Sequence, residues 1–153
     1  TEGRIFSKGI EIINNFKINQ YYNLHLNYTF TKAYDGEDCD DPDKSVTSCN
    51  HSSYPVRVPK HSITAELFKK NKNINNKLQF KFLSERRDYG NANNSYADVI
   101  LNSYFLFNLK NEFKLNDQKF YFNINNILDK DYEDAYQYSS VKRNIEIGIN
   151  KIF

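Results

Sequence analysis

The sequence predicts an all-β fold: a segment of an antiparallel, up-and-down transmembrane β-barrel of about seven strands, an open curved sheet when isolated. Three observations predict it. Apolar and polar residues alternate with a period of two along most of the chain, as they must on a strand, whose successive side chains point to opposite faces. The connections between these segments are short and long in strict turn. Several segments can be extended to about ten residues, enough to cross a hydrocarbon core at a tilt of about 45°. Strands of soluble domains mostly run to about five or six.

The first strand lies in residues 9–16, where Ile10 and Ile12 alternate with Glu11 and, less cleanly, Ile13. Residues 21–31 hold the clearest pattern: Tyr22, Leu24, Leu26, Tyr28 and Phe30 against Asn23, His25, Asn27, Thr29 and Thr31. In residues 62–68, Ile63, Ala65 and Leu67 oppose Ser62, Thr64 and Glu66. In residues 78–84, Leu78, Phe80 and Phe82 oppose Gln79 and Lys81. A fifth strand is expected through residues 99–110, because Val99, Leu101, Phe105, Phe107 and Leu109 share one parity. Phe120, Phe122 and Ile124 oppose Tyr121, Asn123 and Asn125 in the sixth. Ile145, Ile147 and Ile149 oppose Glu146, Gly148 and Asn150 in the seventh.

The links over residues 17–20, 70–76 and 114–118 are short; those over 33–56, 88–96 and 129–140 are long. One end of the sheet therefore has tight turns and the other large loops, the asymmetry of outer-membrane barrels. A soluble sandwich meets the same solvent at both ends and has no physical reason to sort its loops. Alternation alone fits both, since the apolar face points inward in a sandwich and toward lipid in a wide barrel. Loop asymmetry and strand length favour the barrel. Tyr and Phe gather near strand ends, with Phe16, Tyr21 and Tyr22 beside a short turn and Tyr28, Phe30 and Tyr34 near a long loop. Aromatic girdles at two membrane interfaces account for this, as does the ordinary strand propensity of these residues.

Composition narrows the function classes. The 153 residues carry 21 Lys and Arg against 19 Asp and Glu, a net charge of +2. That balance gives no clustered basic footprint, so nucleic acid is not an expected partner. The mean hydropathy of -0.77 fits a barrel whose strands dilute their apolar half with lumen residues. No run of about 18 apolar residues exists, so no transmembrane helix is expected. No charged stretch followed by an apolar one marks a signal peptide. The chain starts at Thr1. For an outer-membrane protein these features carry the expectation that an N-terminal part lies upstream.

Cys39 and Cys49 are the two cysteines, ten residues apart in the longest loop. A metal pair with His51 is one reading, but zinc sites usually need four ligands and the Cys49-x-His51 spacing is tight. A loop disulfide, which persists at an oxidising cell surface, is favoured. Asp35, Glu37, Asp38, Asp40, Asp41 and Asp43 crowd the same loop. They could supply the oxygen ligands of calcium, although their spacing is not that of an EF-hand; a solvated charge run is the plainer reading. Arg86, Arg87 and Asp88 close the fourth strand on the loop side, and Tyr132, Tyr136 and Tyr138 sit in the last loop. Arg86, Arg87, Tyr136 and Tyr138 are candidate contacts to an anionic substrate or to lipopolysaccharide phosphate, an exposed rim being the alternative. His25 and His61 are each expected on a polar face, without a nucleophile or carboxylate in a recognisable order, and no catalytic signature is present. The chain is not expected to be an enzyme or to hold a cofactor.

The run Asn123-Ile124-Asn125-Asn126-Ile127-Leu128-Asp129-Lys130-Asp131-Tyr132 resembles the penultimate-strand signature of TonB-dependent receptors. The ending Ile145-Glu146-Ile147-Gly148-Ile149-Asn150-Lys151-Ile152-Phe153 resembles the C-terminal signal read by the barrel-assembly machinery, carried here by Ile145, Ile147, Ile149 and Phe153. Lys151 departs from it, standing where an apolar or aromatic residue is usual. Gly9-Ile10-Glu11 resembles the family's Gly-apolar-Glu strand, and Arg57-Val58-Pro59-Lys60-His61 its Arg-x-Pro-x-His strand start. Lys142-Arg143 stands where the family often has Gly-Arg. The resemblance spans nearly the whole chain in order, and the cobalamin-transporter branch looks similar.

The resemblance implies that residues 1–153 are one segment, the C-terminal part of a receptor barrel of about 22 strands with a plugged lumen. The plug and the region that pairs with TonB would lie upstream. The implied function is import of a scarce nutrient, a siderophore-iron chelate or cobalamin, across the outer membrane of a Gram-negative bacterium. The implied partners are that membrane and its lipopolysaccharide, TonB, the assembly machinery and the chelate. The rivals are a small passive porin-like barrel and a soluble secreted β-sandwich that binds carbohydrate or protein. Bacterial single-chain barrels have even strand numbers from about eight upward, so the porin needs a further strand. The sandwich needs loops of equal length at both ends.

Overall fold

The computed structural model describes residues 5–35, 55–92 and 95–151, and every regular element among them is a β-strand. In chain order these are β1 (Ile5–Lys17), β2 (Tyr22–Asp35), β3 (His61–Lys70), β4 (Ile74–Leu83), β5 (Arg86–Ala92), β6 (Ser95–Leu101), β7 (Tyr104–Leu115), β8 (Gln118–Asn125), β9 (Glu133–Ala135), β10 (Tyr138–Ser139) and β11 (Asn144–Lys151). Seven of them form one antiparallel sheet in the order β1-β2-β3-β4-β7-β8-β11. Among the described residues β1 and β11 are its two free edges, so the sheet is open. β5 with β6, and β9 with β10, are separate hairpins.

The short turns are built by asparagine. Asn19 Oδ1 accepts the backbone N–H groups of Tyr21 (2.8 Å) and Tyr22 (2.9 Å), which closes the β1–β2 turn. Asn116, between β7 and β8, takes φ 52°, a left-handed conformation that asparagine tolerates because its short polar side chain can bond locally. Asn71 N donates to Ile74 O (2.8 Å) between β3 and β4.

Register then sorts the faces. Ile10 pairs with Phe30 and Ile12 with Tyr28; Tyr28 pairs with Ile63 and Leu26 with Ala65. Ala65 pairs with Phe80, Phe80 with Phe107, and Leu109 with Ile124. Ile124 and Phe122 pair with Ile145 and Ile147. Directly opposite residues share a face, so the apolar halves of seven strands merge into one surface. Among the described residues no second layer covers it: Ile10, Ile12, Leu78, Phe105, Phe113, Phe122, Ile145, Ile147 and Ile149 are exposed. The buried apolar residues are Ala33, Leu101, Tyr104 and Leu106, all toward the long-loop end. Burial from water stabilises apolar area by about 25 cal/mol per Å². The bare apolar surface of this sheet forgoes that stabilisation in water.

One expected strand is corrected. The stretch 99–110 is not continuous: Val99 and Leu101 belong to β6, which pairs with β5, and the sheet resumes at Tyr104. Leu101 is 2% exposed and Phe105 42%, although they share a parity. The break at Asn102-Ser103 preserves the alternation while turning the chain, so periodicity runs through it unmarked. Arg86 and Arg87 accordingly open β5 instead of closing the fourth strand, and the loop expected over 129–140 contains the β9–β10 hairpin.

Candidate functional site

At the long-loop end, one carboxylate holds three connections together. Asp88, at the start of β5, has no exposed surface. Arg57, in the segment before β3, donates from Nε to both carboxylate oxygens at 3.0 Å. The backbone N–H of Tyr136, between β9 and β10, donates to Oδ2 at 2.7 Å, and that of Tyr89 to Oδ1 at 2.8 Å. Burial alone would raise this carboxyl, but the Tyr136 amide, the Arg57 guanidinium and the Tyr89 amide outweigh it and hold the group below its ordinary value. Arg57 has φ 63°, a conformation rare for a residue with a Cβ. The two hydrogen bonds to Asp88 and the 2.7 Å hydrogen bond from Arg57 N to Arg87 O fix it there.

Beside this lies a second cluster. Arg86 is 4% exposed. Its Nη2 donates to Glu133 O and to Asp134 Oδ1 (3.2 Å), and its guanidinium lies 5.2 Å from the centre of the Tyr104 ring. Tyr104 Oη donates to Asp134 Oδ1 at 2.6 Å and its ring packs 4.5 Å from that of Tyr132. Arg86 therefore pins the last hairpin to the sheet and does not face out as a rim contact. Arg87 lies over the Tyr89 ring at 5.4 Å. Tyr136 reaches Asp88 through its backbone. Tyr138, 74% exposed, lines an open cleft of about 480 Å³ with Arg57, Asp134, Ala135, Ser139 and Ser140. Of the four candidate contacts, Arg86 is bound internally and Tyr138 borders a cleft.

The signature run before β9 has its own local chemistry. Asn126 takes φ 52° and is buried. Its N–H donates to Asn108 Oδ1 (2.8 Å), its Nδ2 to Lys130 O (2.9 Å), and its Oδ1 accepts from Lys130 N (2.9 Å). Asp129, also left-handed, accepts from Arg143 N at 2.9 Å. Asn126 thus turns the chain out of β8, and Asp129 ties the loop's start to its return.

The inward face is a polar wall. Lys77 Nζ (2.9 Å) and Gln79 Nε2 (2.7 Å) donate to Glu66 Oε1. Asn108 Nδ2 donates to Gln79 Oε1 (2.9 Å) and Asn108 Oδ1 accepts from the Asn126 N–H, so a hydrogen-bonded chain crosses β3, β4 and β7. Asn27 Nδ2 reaches Glu11 Oε1 at 2.9 Å, and His25 Nδ1 lies 2.6 Å from Asn15 Oδ1. Toward the short-turn end this face encloses a groove of about 730 Å³. Its wall includes Lys17, Lys70, Lys77 and Lys110 against Glu66 and Glu112, with Phe68 and Tyr121. Lysines outnumber carboxylates on this wall, so its field is positive.

Cys39, Cys49, His51, Phe153 and the acidic residues Glu37, Asp38, Asp40, Asp41 and Asp43 lie outside the described residues. Ile145, Ile147 and Ile149 lie on the outward face of β11. Among the described residues no three His, Cys, Asp or Glu side chains converge as metal ligands. Arg57, Asp88, Tyr104 and Asn126 are the organising residues that the sequence did not single out one by one. Arg57 and Asn126 fell inside motifs of the family resemblance, which was their only signal.

No protein-family profile and no curated protein matches the sequence. Solved structures do. The ferric-catecholate import receptor Fiu of Escherichia coli K12 superposes with a TM-score of 0.73 at 19% identity, over 99% of this chain and 21% of that one. The outer-membrane ferripyoverdine receptor of Pseudomonas aeruginosa superposes with a TM-score of 0.70 at 15% identity, over 95% and 19%. The FrpB iron transporter of Neisseria meningitidis gives 0.71 at 13% identity, over 96% and 24%. The chain has the fold of a segment of these receptors and spans about a fifth of their length.

Proposed function

We propose that this chain is part of the barrel wall of a TonB-dependent receptor in the outer membrane of a Gram-negative bacterium, importing a scarce nutrient. The observation that carries the reading is the sidedness of the sheet. Among the described residues its apolar face is continuous across seven strands and bare, while its opposite face is polar, hydrogen-bonded and basic. A wide barrel in lipid gives both faces a suitable solvent, and loop asymmetry and strand length favour it over a sandwich. The solved structures of like fold support the same reading.

In this reading the loops joined through Asp88 capture the solute, and the inward wall lines its passage once an upstream plug rearranges. The chain supplies seven staves and no bond-making chemistry. Those solved structures are named for iron or its chelates, which turns the choice between a siderophore-iron chelate and cobalamin toward the chelate. The basic groove suits an anionic chelate.

The test is uptake of radiolabelled ferric chelates by iron-starved cells of the source organism. Deleting the gene abolishes uptake of one chelate, and a protonophore abolishes it in the wild type. Uptake that persists with the protonophore and falls off with solute size would indicate a passive porin instead.

A further inference from the structure

We propose that Lys8 and Lys32 form a binding site for the phosphate of an anionic membrane lipid, at the loop-side end of the outward face. The proposal rests on the barrel reading. The two lysines are directly opposite each other in the β1–β2 register, and both are exposed. They sit one outward position beyond Ile10 and Phe30, which also face each other, about 7 Å further along the strands. The lysine pair thus interrupts the apolar band near its loop-side end, between the Ile10–Phe30 pair and the Phe6–Tyr34 pair one outward position further on.

Like charges directly opposite each other on a sheet repel, and nothing on this face offsets them. The outward positions of the seven strands carry no carboxylate among the described side chains. The inward face makes the contrast. There Lys77 faces Lys110 and Lys114 faces Lys119, but Glu66 pairs with Lys77 at 2.9 Å and Glu112 with Lys119 at 2.8 Å. The described residues give Lys8 and Lys32 no counterion, and their outward position points to the leaflet that the loops face. His61, expected on a polar face, is instead the adjacent outward group, because β3 begins with it directly opposite Phe30; its Nδ1 lies 2.9 Å from Tyr28 Oη. It adds a polar edge and no negative charge. The remaining outward lysines, Lys69 and Lys151, lie at the short-turn end on separate strands, and Lys69 lies over the Tyr22 ring at 5.7 Å. Arg86, a candidate lipopolysaccharide contact, is buried under the last hairpin.

The experiment uses the detergent-extracted full-length protein and native mass spectrometry, with phosphatidic acid and phosphatidylcholine as probes. Wild type retains phosphatidic acid selectively. Lys8→Gln/Lys32→Gln weakens that retention about thirtyfold, two lysines at the strength of one basic residue each near an anionic surface. Phosphatidylcholine retention stays unchanged, Lys8→Arg/Lys32→Arg keeps the selectivity, and Lys69→Gln leaves it intact. A double variant that retains phosphatidic acid like wild type overturns the site, as does displacement by millimolar inorganic phosphate. If wild type stays monodisperse after detergent removal, the barrel reading has failed, which separates that failure from failure of the lysine pair alone.

Discussion

Asp88 shows how much one side chain can organise. Four hydrogen bonds from three separated segments converge on its carboxylate. Its folded-state value lies below the ordinary 3.8, so the folded loops favour the charged form. Its contribution is therefore complete above pH 3.8 and disappears as pH falls through the depressed value. Hydrogen exchange at the Tyr89 and Tyr136 amides should stay slow down to that pH and accelerate below it. Asp88→Asn keeps the shape and removes the charge; it should loosen the loops by about 1–3 kcal/mol and flatten the acid limb. Unchanged exchange in that variant would show that Arg57 and the hairpins hold themselves. None of this was legible at Asp88 itself, which reads as one more loop-side charge after Arg86 and Arg87. Its partners are 31 and 48 residues away in sequence, and pairing at that range is a tertiary fact.

At the scale of elements, the sequence was most informative where burial was most one-sided. All seven sheet strands were legible, because a one-residue slip would carry every apolar side chain to the wrong face. The hairpins were not: β5 and β9 lack sustained alternation, and the Asn102-Ser103 break leaves the parity intact. Gly9 belongs to this scale. A Cβ there would meet Phe30 O at 2.3 Å, and a backbone atom cannot step aside as a side chain can. Gly9→Ala should push β1 from β2 and lower the thermal midpoint of the detergent-solubilised protein, by about 2 kcal/mol in stability. Gly148→Ala is the control. Its Cβ would meet the far end of the Tyr121 ring at 2.2 Å, which can rotate into the groove, so the midpoint should barely move. Equal effects would contradict this distinction between backbone and side-chain contact.

For the whole molecule, the open sheet has two unpaired edges and a bare apolar face, and such edges template aggregation in water. Residues 1–153 expressed alone without detergent should therefore aggregate, and a soluble monomer with cooperative unfolding would contradict the barrel reading. The sheet's sidedness is the central claim. Its most direct test is a spin-label scan of β2 in the full-length protein in native outer membranes, with Cys39 and Cys49 replaced by serine. Labels at Leu24, Leu26 and Tyr28 should be relaxed by lipid-soluble oxygen, and labels at His25, Asn27 and Thr29 by a water-soluble nickel complex, with a period of two. Labels at Leu24, Leu26 and Tyr28 shielded from both reagents would mean that the apolar face is buried against protein, and the account would fall.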